Sequence, residues 1–245
     1  MSVLINKLKN VARGQINSIG FAASSASASV PSMLLIARMD TVEKIEFSDA
    51  ALIKLTELDT GTLNKLSKIT ALPWGIEINQ LSKEKAGQAI SKGCDFILFG
   101  NDSKTEFLIS DTTLGKVLFI DHSLPTSILV AVNNLPVEAV LVRLNHNLTI
   151  KDIMICNQIN NLIAKPIIVD LPTSLQDGDL EALYKAGVSG LIVDWKQGSS
   201  SVFKDLRNRI SNLPKRKALH DKFIASVPQI KQTDVPEQDN EEDFE

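Results

Sequence analysis

The segment KPIIVDLPTSLQDGDLEALYKAGVSGLIVDW, from Lys165 to Trp195, decides the fold prediction because it contains one complete strand–helix–strand unit. The aliphatic run at 166–169 predicts a strand, and apolar residues three or four apart over 175–186 predict a helix. Gly187 suits the end of that helix, and 190–193 is the next aliphatic run. Two continuously apolar runs joined by a helix are typical of parallel strands that helices cover.

The same unit recurs along most of the chain. Eight aliphatic runs predict eight strands, at 33–38, 50–55, 74–78, 95–99, 117–120, 139–143, 166–169 and 190–193. Their starts are 17 to 27 residues apart, and helical patterns occur at 61–69, 82–92, 149–161, 175–186 and 200–212. Such a series predicts an α/β protein, a single (β/α)₈ TIM barrel, with an open doubly wound sheet as the alternative.

Two connections are ambiguous. Residues 41–47 allow barely two helical turns, and residues 103–108 fit a strand as well as a helix.

The segments outside the barrel, 31–213, have distinct compositions. Residues 1–30 predict a short amphipathic helix ended by Gly14, followed by a small-residue linker. A basic extension occupies 214–231. The last segment, 232–245, holds seven acidic residues and no basic one, so we expect a disordered acidic tail.

Composition and motifs exclude several functional classes. No glycine-rich nucleotide-binding motif follows a strand, and the 5% aromatic content offers little stacking surface for nucleic acid. The absence of a long apolar run argues against a membrane partner and an export signal, so we expect a cytoplasmic protein. Cys94 and Cys156 are predicted to be buried free thiols. Schiff-base chemistry is not expected, on the ground that no strand carries a lysine. A homo-oligomer remains open.

Residues 185–194, KAGVSGLIVD, resemble the entry into a late strand of the phosphate-binding TIM barrels. The resemblance implies a barrel in which backbone N–H groups after strands 7 and 8 hold a phosphate. This chain has Asp170-Leu-Pro-Thr and Asp194-Trp-Lys-Gln-Gly-Ser-Ser there, so carboxylates stand near the phosphate position. Gly198, Ser199 and Ser200 remain as a reduced anion-binding turn.

The predicted strand ends carry many ionisable residues, and characterised barrel enzymes have their sites at these ends. Arg143 ends a strand, where it is predicted to clamp a carboxylate or phosphate or to pair with Asp121 or Asp170. The three aspartates Asp121, Asp170 and Asp194 each follow two apolar residues. With Glu77 they predict a Mg²⁺ or Mn²⁺ site, and as the alternative they start turns or cap helices.

Other polar residues near these strand ends complete the predicted site. The candidate catalytic residues are Asp121, His122, His146 and Asp170, and the candidate substrate-binding residues are Arg143, Asn145, Lys196, Gly198 and Ser199. This set predicts binding of a small phosphorylated or carboxylic metabolite, with lyase or isomerase chemistry if the barrel is an enzyme. The alternative is a non-catalytic barrel that acts as a structural or protein-interaction module.

Overall fold

A computed structural model describes residues 2–14, 30–55, 61, 71–78, 82–109, 113–144, 147–171, 175–196 and 198–214. Eight parallel strands pair in chain order and form a closed barrel. They are β1 Leu34–Met39, β2 Ala50–Lys54, β3 Trp74–Ile78, β4 Phe96–Phe99, β5 Gly115–Phe119, β6 Ala139–Arg143, β7 Ile167–Leu171 and β8 Val188–Asp194. All eight predicted strands are confirmed. The open-sheet alternative is wrong, because β1 pairs with β8 from Leu34 to Arg38.

The helices that the structure describes precede and alternate with these strands. They are α1 Val3–Arg13, α2 Lys83–Ser91, α3 Thr105–Ile109, α4 Thr126–Ala131, α5 Ile150–Leu162, α6 Asp177–Lys185 and α7 Ser200–Asn212. Ser82 caps α2, and a capping box of Thr149 and Asp152 starts α5. Gly93 and Gly187 have φ angles of 84° and 92°, which suits glycine at these helix ends.

The connections show where sequence patterns were ambiguous. Residues 103–108 resolve as the short helix α3, whereas no helix forms between β1 and β2. There Arg207 of α7 donates hydrogen bonds to the Phe47 carbonyl and to Asp49 Oδ2, at 3.2 and 2.8 Å, so a neighbouring helix holds this loop. Helix α4 was not predicted, because its apolar run shows no helical period. Of the predicted helix at 61–69, only Gly61 is described, and it is helical.

Side chains alternate along the strands between the barrel interior and the surrounding helices. The inward positions form an apolar cluster: Leu34, Ile36, Ala50, Leu52, Phe96, Leu98, Val117, Ala139, Leu141, Ile168 and Ile192. The outward positions pack against the helices in a second cluster that contains both free cysteines, Cys94 and Cys156. Burial of both thiols agrees with the prediction.

Helix α1 closes one end of the barrel, and we call this the closed end. Its apolar face of Leu4, Ile5, Leu8 and Val11 belongs to the same cluster as the barrel interior. A Cβ on Gly115 would lie 2.5 Å from Ile5 Cγ1, so the absence of a side chain there lets α1 approach the strands.

A carboxylate from another part of the chain fixes the start of α1. Asp95, just before β4, accepts hydrogen bonds from the backbone N–H groups of Val3 and Leu4 at 2.7 and 2.9 Å and from the Ser2 hydroxyl at 2.9 Å. These bonds satisfy amide groups that have no partner within the helix, and a negative charge is favourable at a helix N-terminus. The predicted N-terminal helix is therefore confirmed, and Gly14 ends it with a φ of 72°.

The statement that no strand carries a lysine is wrong. Lys54 is the last residue of β2, and Lys116 lies within β5. Lys116 points away from the barrel interior, and its Nζ donates to the Leu108 carbonyl at 2.9 Å. The linker, apart from Val30, and the chain beyond Pro214, including the acidic tail, lie outside the described residues, so the domain boundaries drawn there stay predictions.

Candidate functional site at the carboxyl ends of the strands

A layer of polar side chains lies above the apolar interior. The strand register advances by about one residue per strand around a closed eight-stranded barrel, so alternate strands contribute to one layer. Followed through the strand pairs, the register places four residues of the odd-numbered strands at one level: Arg38, Glu77, Phe119 and Asp170. The even-numbered strands place Lys54, Arg143 and Asp194 one level higher. The fourth place in that level falls at Gly100, which has no side chain.

Five of these residues form what we call the charged cluster: Arg38, Glu77, Arg143, Asp170 and Asp194. Arg38 joins β7 and β8, because its Nη1 donates to Asp170 Oδ2 at 2.5 Å and its Nε donates to Asp194 Oδ1 at 2.6 Å. Burial lowers the pKa of Arg38, but the hydrogen bonds that it donates to Asp194 and Asp170 and the negative charges of these carboxylates outweigh burial, so the net shift of the pKa is upward. Arg38 is therefore a permanent cation in this cluster.

Arg143 joins β3 and β7 on the other side of the cluster. Its Nη2 donates to Glu77 Oε1, and its Nε donates to Asp170 Oδ2 at 3.3 Å. The guanidinium carbon lies 4.7 Å from the centre of the Phe119 ring, a cation–π contact. The Arg143 side chain nevertheless remains 43% exposed. Of the two predicted roles, pairing with Asp170 is thus present, and part of the Arg143 side chain is still open to solvent.

Glu77 is the most deeply buried carboxylate of the charged cluster, with 4% of its surface exposed. Arg143 holds its Oε1, whereas Oε2 receives no hydrogen bond from the described residues. Arg38 Nη1 is 3.7 Å from Oε2, which is too far for a hydrogen bond. A buried carboxylate oxygen without a donor is costly, so this atom is an unfilled hydrogen-bonding position.

Asp121 and His122 do not belong to the charged cluster. Strand β5 ends at Phe119, and Asp121 follows it on the surface, where its Oδ1 accepts the backbone N–H of Ser123 at 2.9 Å. This backbone hydrogen bond lowers the pKa of Asp121. His122 is exposed. The turn-forming role that the sequence left open is therefore the one that Asp121 has here.

The predicted anion-binding turn lies between β8 and α7. Lys196 and Ser199 form two hydrogen bonds, from Lys196 N to Ser199 Oγ at 3.0 Å and from Ser199 N to the Lys196 carbonyl at 2.9 Å. Gly198 has a φ of 88° and completes the turn. Binding by this turn stays a prediction. Asn145 and His146 lie outside the described residues.

The carboxylates of the predicted metal site are not gathered around one point. Arg38 and Arg143 lie between Glu77, Asp170 and Asp194, and Asp121 is outside the charged cluster. In the described ranges no group of three or more His, Cys, Asp or Glu residues is placed to hold a metal ion. The arrangement fits guanidinium–carboxylate pairing, and we therefore do not propose Mg²⁺ or Mn²⁺ as a cofactor.

Sequence reasoning did not assign a site role to Arg38, although it has more partners in the charged cluster than any other residue. The signal that points to it is alternation. Leu34 and Ile36 of β1 face the barrel interior, so Arg38, two residues further along the strand, faces the interior as well.

No protein-family model and no curated protein matches this chain. Among solved structures, it is similar to tryptophan synthase α-subunits of Pyrococcus furiosus. One mutant α-subunit aligns with a TM-score of 0.56 at 11% identity, over 74% of this chain and 96% of that chain. A chain of the tryptophan synthase complex of the same organism aligns with a TM-score of 0.54 at 10% identity, over 75% and 99%. At this identity the similarity shows a shared TIM-barrel fold.

None of the helices in the part of the chain that the structure describes has both the length and the apolar character needed to cross a membrane.

Proposed function

We propose that this barrel binds a small metabolite with a carboxylate or phosphate group at the charged cluster. The observation that carries the proposal is that each arginine is held by carboxylates through two nitrogens and keeps a third without a partner among the described residues. These third nitrogens are Arg38 Nη2 and Arg143 Nη1. Two donors with fixed positions, one on each arginine, suit two-point recognition of carboxylate or phosphate oxygens.

The pairing of the arginines favours binding because it fixes their positions in advance. A mobile arginine loses side-chain entropy when it binds a ligand, and this loss reduces affinity. Arg143 is held by Glu77, Asp170 and the Phe119 ring, so most of that ordering has already taken place. The 43% of its side chain that is exposed leaves a surface for the ligand.

Lyase or isomerase chemistry is the reaction class that fits this site. Such reactions move a proton next to a carboxylate or phosphate group, and they need a base beside the bound anion. Among the carboxylates of the charged cluster, Glu77 has the buried oxygen that no described residue engages. We therefore assign proton transfer, if the barrel is catalytic, to Glu77, and we keep Asp170 as the residue that positions both arginines.

A specific observation favours a second candidate function, a non-catalytic structural or protein-interaction module. The charged cluster has three carboxylates for two arginines, and these groups pair with one another. Because the two guanidinium charges are already compensated, the cluster can tie β1, β3, β6, β7 and β8 together without any ligand.

Thermal unfolding of the full chain with a panel of carboxylic and phosphorylated metabolites tests the proposal. A ligand present at 100 times its Kd adds about 2.7 kcal/mol of stability. For a domain of this size, the unfolding midpoint then rises by about 5–11 °C. The variant Arg143→Met should lose the rise, whereas Arg13→Met, the same change at the exposed end of α1, should keep it.

A flat response to the whole panel contradicts anion binding and favours the non-catalytic module. A rise that survives Arg143→Met places the ligand elsewhere on the protein.

A further inference from the structure

We propose that the ligand of the charged cluster carries an ammonium or hydroxyl group next to its anionic group, and that Glu77 Oε2 accepts a hydrogen bond from it. This inference rests on the proposed function and specifies its ligand class. It predicts amino acids or hydroxy acids rather than simple carboxylic acids.

The first argument is the unfilled position at Glu77. Its Oε1 is held by Arg143, and its Oε2 is buried with no donor among the described residues. Neither arginine supplies that donor: Arg38 Nη1 donates to Asp170 and lies 3.7 Å from Oε2, and Arg143 donates to Oε1 instead. A ligand with a donor group there would satisfy the acceptor, whereas a ligand without one would leave it buried and unpaired.

The second argument is proximity between the unfilled acceptor and the free donors. Glu77 contacts both arginines, and each arginine has one terminal nitrogen that no described residue engages. Each free nitrogen is bonded to the same guanidinium carbon as the nitrogen that contacts Glu77, so an anionic group on the free nitrogens would be near Glu77. The ligand donor must then be attached close to the anionic group, as the amino or hydroxyl group of a 2-substituted acid is.

The third argument is charge. The cluster contains three carboxylates and two guanidinium groups, and the exposed Lys54 lies outside it in the upper level, so a simple anion would add to an excess of negative charge among the groups that it contacts. An ammonium group beside Glu77 offsets that excess, whereas a hydroxyl group supplies only the hydrogen bond. We therefore expect an amino acid to bind more tightly than the matching hydroxy acid.

Three acids with the same carbon skeleton separate these contributions: L-alanine, L-lactate and propionate. Their dissociation constants are measured with the full-length chain by ligand-observed NMR titration at constant ionic strength. We expect lactate to bind about 10-fold or more tightly than propionate, the range of a hydrogen bond to a charged group, and alanine to bind more tightly still.

The variant Glu77→Gln tests the role of the oxygen itself. Arg143 donates to Oε1, so the glutamine oxygen is held there and the amide NH₂ replaces Oε2. The amide donor then faces the donor of the ligand. The ratio of the dissociation constant of propionate to that of lactate or alanine should therefore fall to about 1. Glu106→Gln, the same change on the exposed surface of α3, should leave the series unchanged.

The outcomes separate the inference from the proposed function. If propionate binds as tightly as lactate and alanine, the inference is overturned and anion binding stands. If the advantage persists in Glu77→Gln, Glu77 is not the acceptor and the inference is again overturned. If none of the three acids nor inorganic phosphate binds, the proposed function itself fails. The dissociation constants of the three acids for the unmodified chain test the inference even if Glu77→Gln does not fold.

Discussion

The two ends of this barrel are built on opposite principles. At the closed end, four apolar side chains of α1 pack against the interior positions of the strands. At the other end, two arginines and three carboxylates of the charged cluster occupy the interior positions. Apolar packing is non-directional, whereas each member of the charged cluster depends on a particular partner. We therefore expect the closed end to tolerate a volume-conserving exchange of side chains, whereas the charged cluster should not tolerate the loss of one partner.

The variant Arg38→Met tests how much the charged cluster contributes to stability. It removes the cation that joins Asp170 and Asp194, and it leaves carboxylates that are partly or fully buried without that partner. Removing one partner of a buried ion pair costs about 3–5 kcal/mol. We expect a loss of stability of this size in urea unfolding.

Arg13→Met, at the exposed end of α1, is the control and should change stability by less than about 0.5 kcal/mol. A loss below about 1 kcal/mol for Arg38→Met would mean that solvent screens the charged cluster, and the contrast between the two ends would fail.

Leu8 tests the closed end with two substitutions of different volume. Leu8 is fully buried beneath the strands, so Leu8→Ala should cost about 2–5 kcal/mol through lost burial and a cavity. Leu8→Met conserves volume and should cost less than about 1.5 kcal/mol. Urea unfolding of both variants measures the difference. Equal losses would show that the closed end also depends on one particular side chain.

The smallest effect concerns Cys94, which lies just before Asp95 at the closed end. Burial raises the pKa of Cys94 to about 12, and the thiol contacts the Phe96 carbonyl at 3.2 Å. The folded pKa lies above the unfolded value of about 8.5, so the stability contribution is complete below that pH and is lost as pH rises towards 12. The loss is at most about 1.4 kcal/mol per pH unit for this thiol.

Urea unfolding between pH 8 and about pH 10 checks this effect through the difference between the unmodified chain and Cys94→Ala. The variant should lose less stability per pH unit, because the titrating thiol is gone. Cys156, whose pKa burial also raises to about 12, provides the matched variant Cys156→Ala away from the closed end. Identical pH slopes in all three proteins would show that the thiols are not protected by folding.

Much of the fold follows from local patterns in the sequence. Parallel strands buried on both faces produce continuous apolar runs, and β3 and β6 have the predicted bounds. The conformation of the loop before β2 was harder to predict from the sequence, because this loop is held by Arg207 of α7, which is 158 residues away in sequence. Local periodicity carries no information about such a contact.

The candidate site was less predictable, as Asp121 and Asp170 show. Each follows two apolar residues, yet Asp170 lies inside β7 and faces Arg38, whereas Asp121 lies beyond the end of β5. Their roles depend on where each strand stops pairing, and a single sequence does not fix that. Arg143 could be placed at a strand end from its pattern, but its choice of Glu77 as a partner depends on barrel register.

The position of α1 also determines when, during synthesis, this helix can pack against the barrel. A ribosome completes α1 before any strand, but the helix rests against β1 and β8, and Leu8 lies close to Gly190. About 180 residues separate Arg13 from Asp194, which takes about 10–35 s to translate at roughly 5–20 residues per second. Throughout that time the apolar face of α1 has no completed surface to cover it. We therefore expect the exposed apolar face of α1 in a nascent chain to be a binding site for chaperones until β8 has been synthesised.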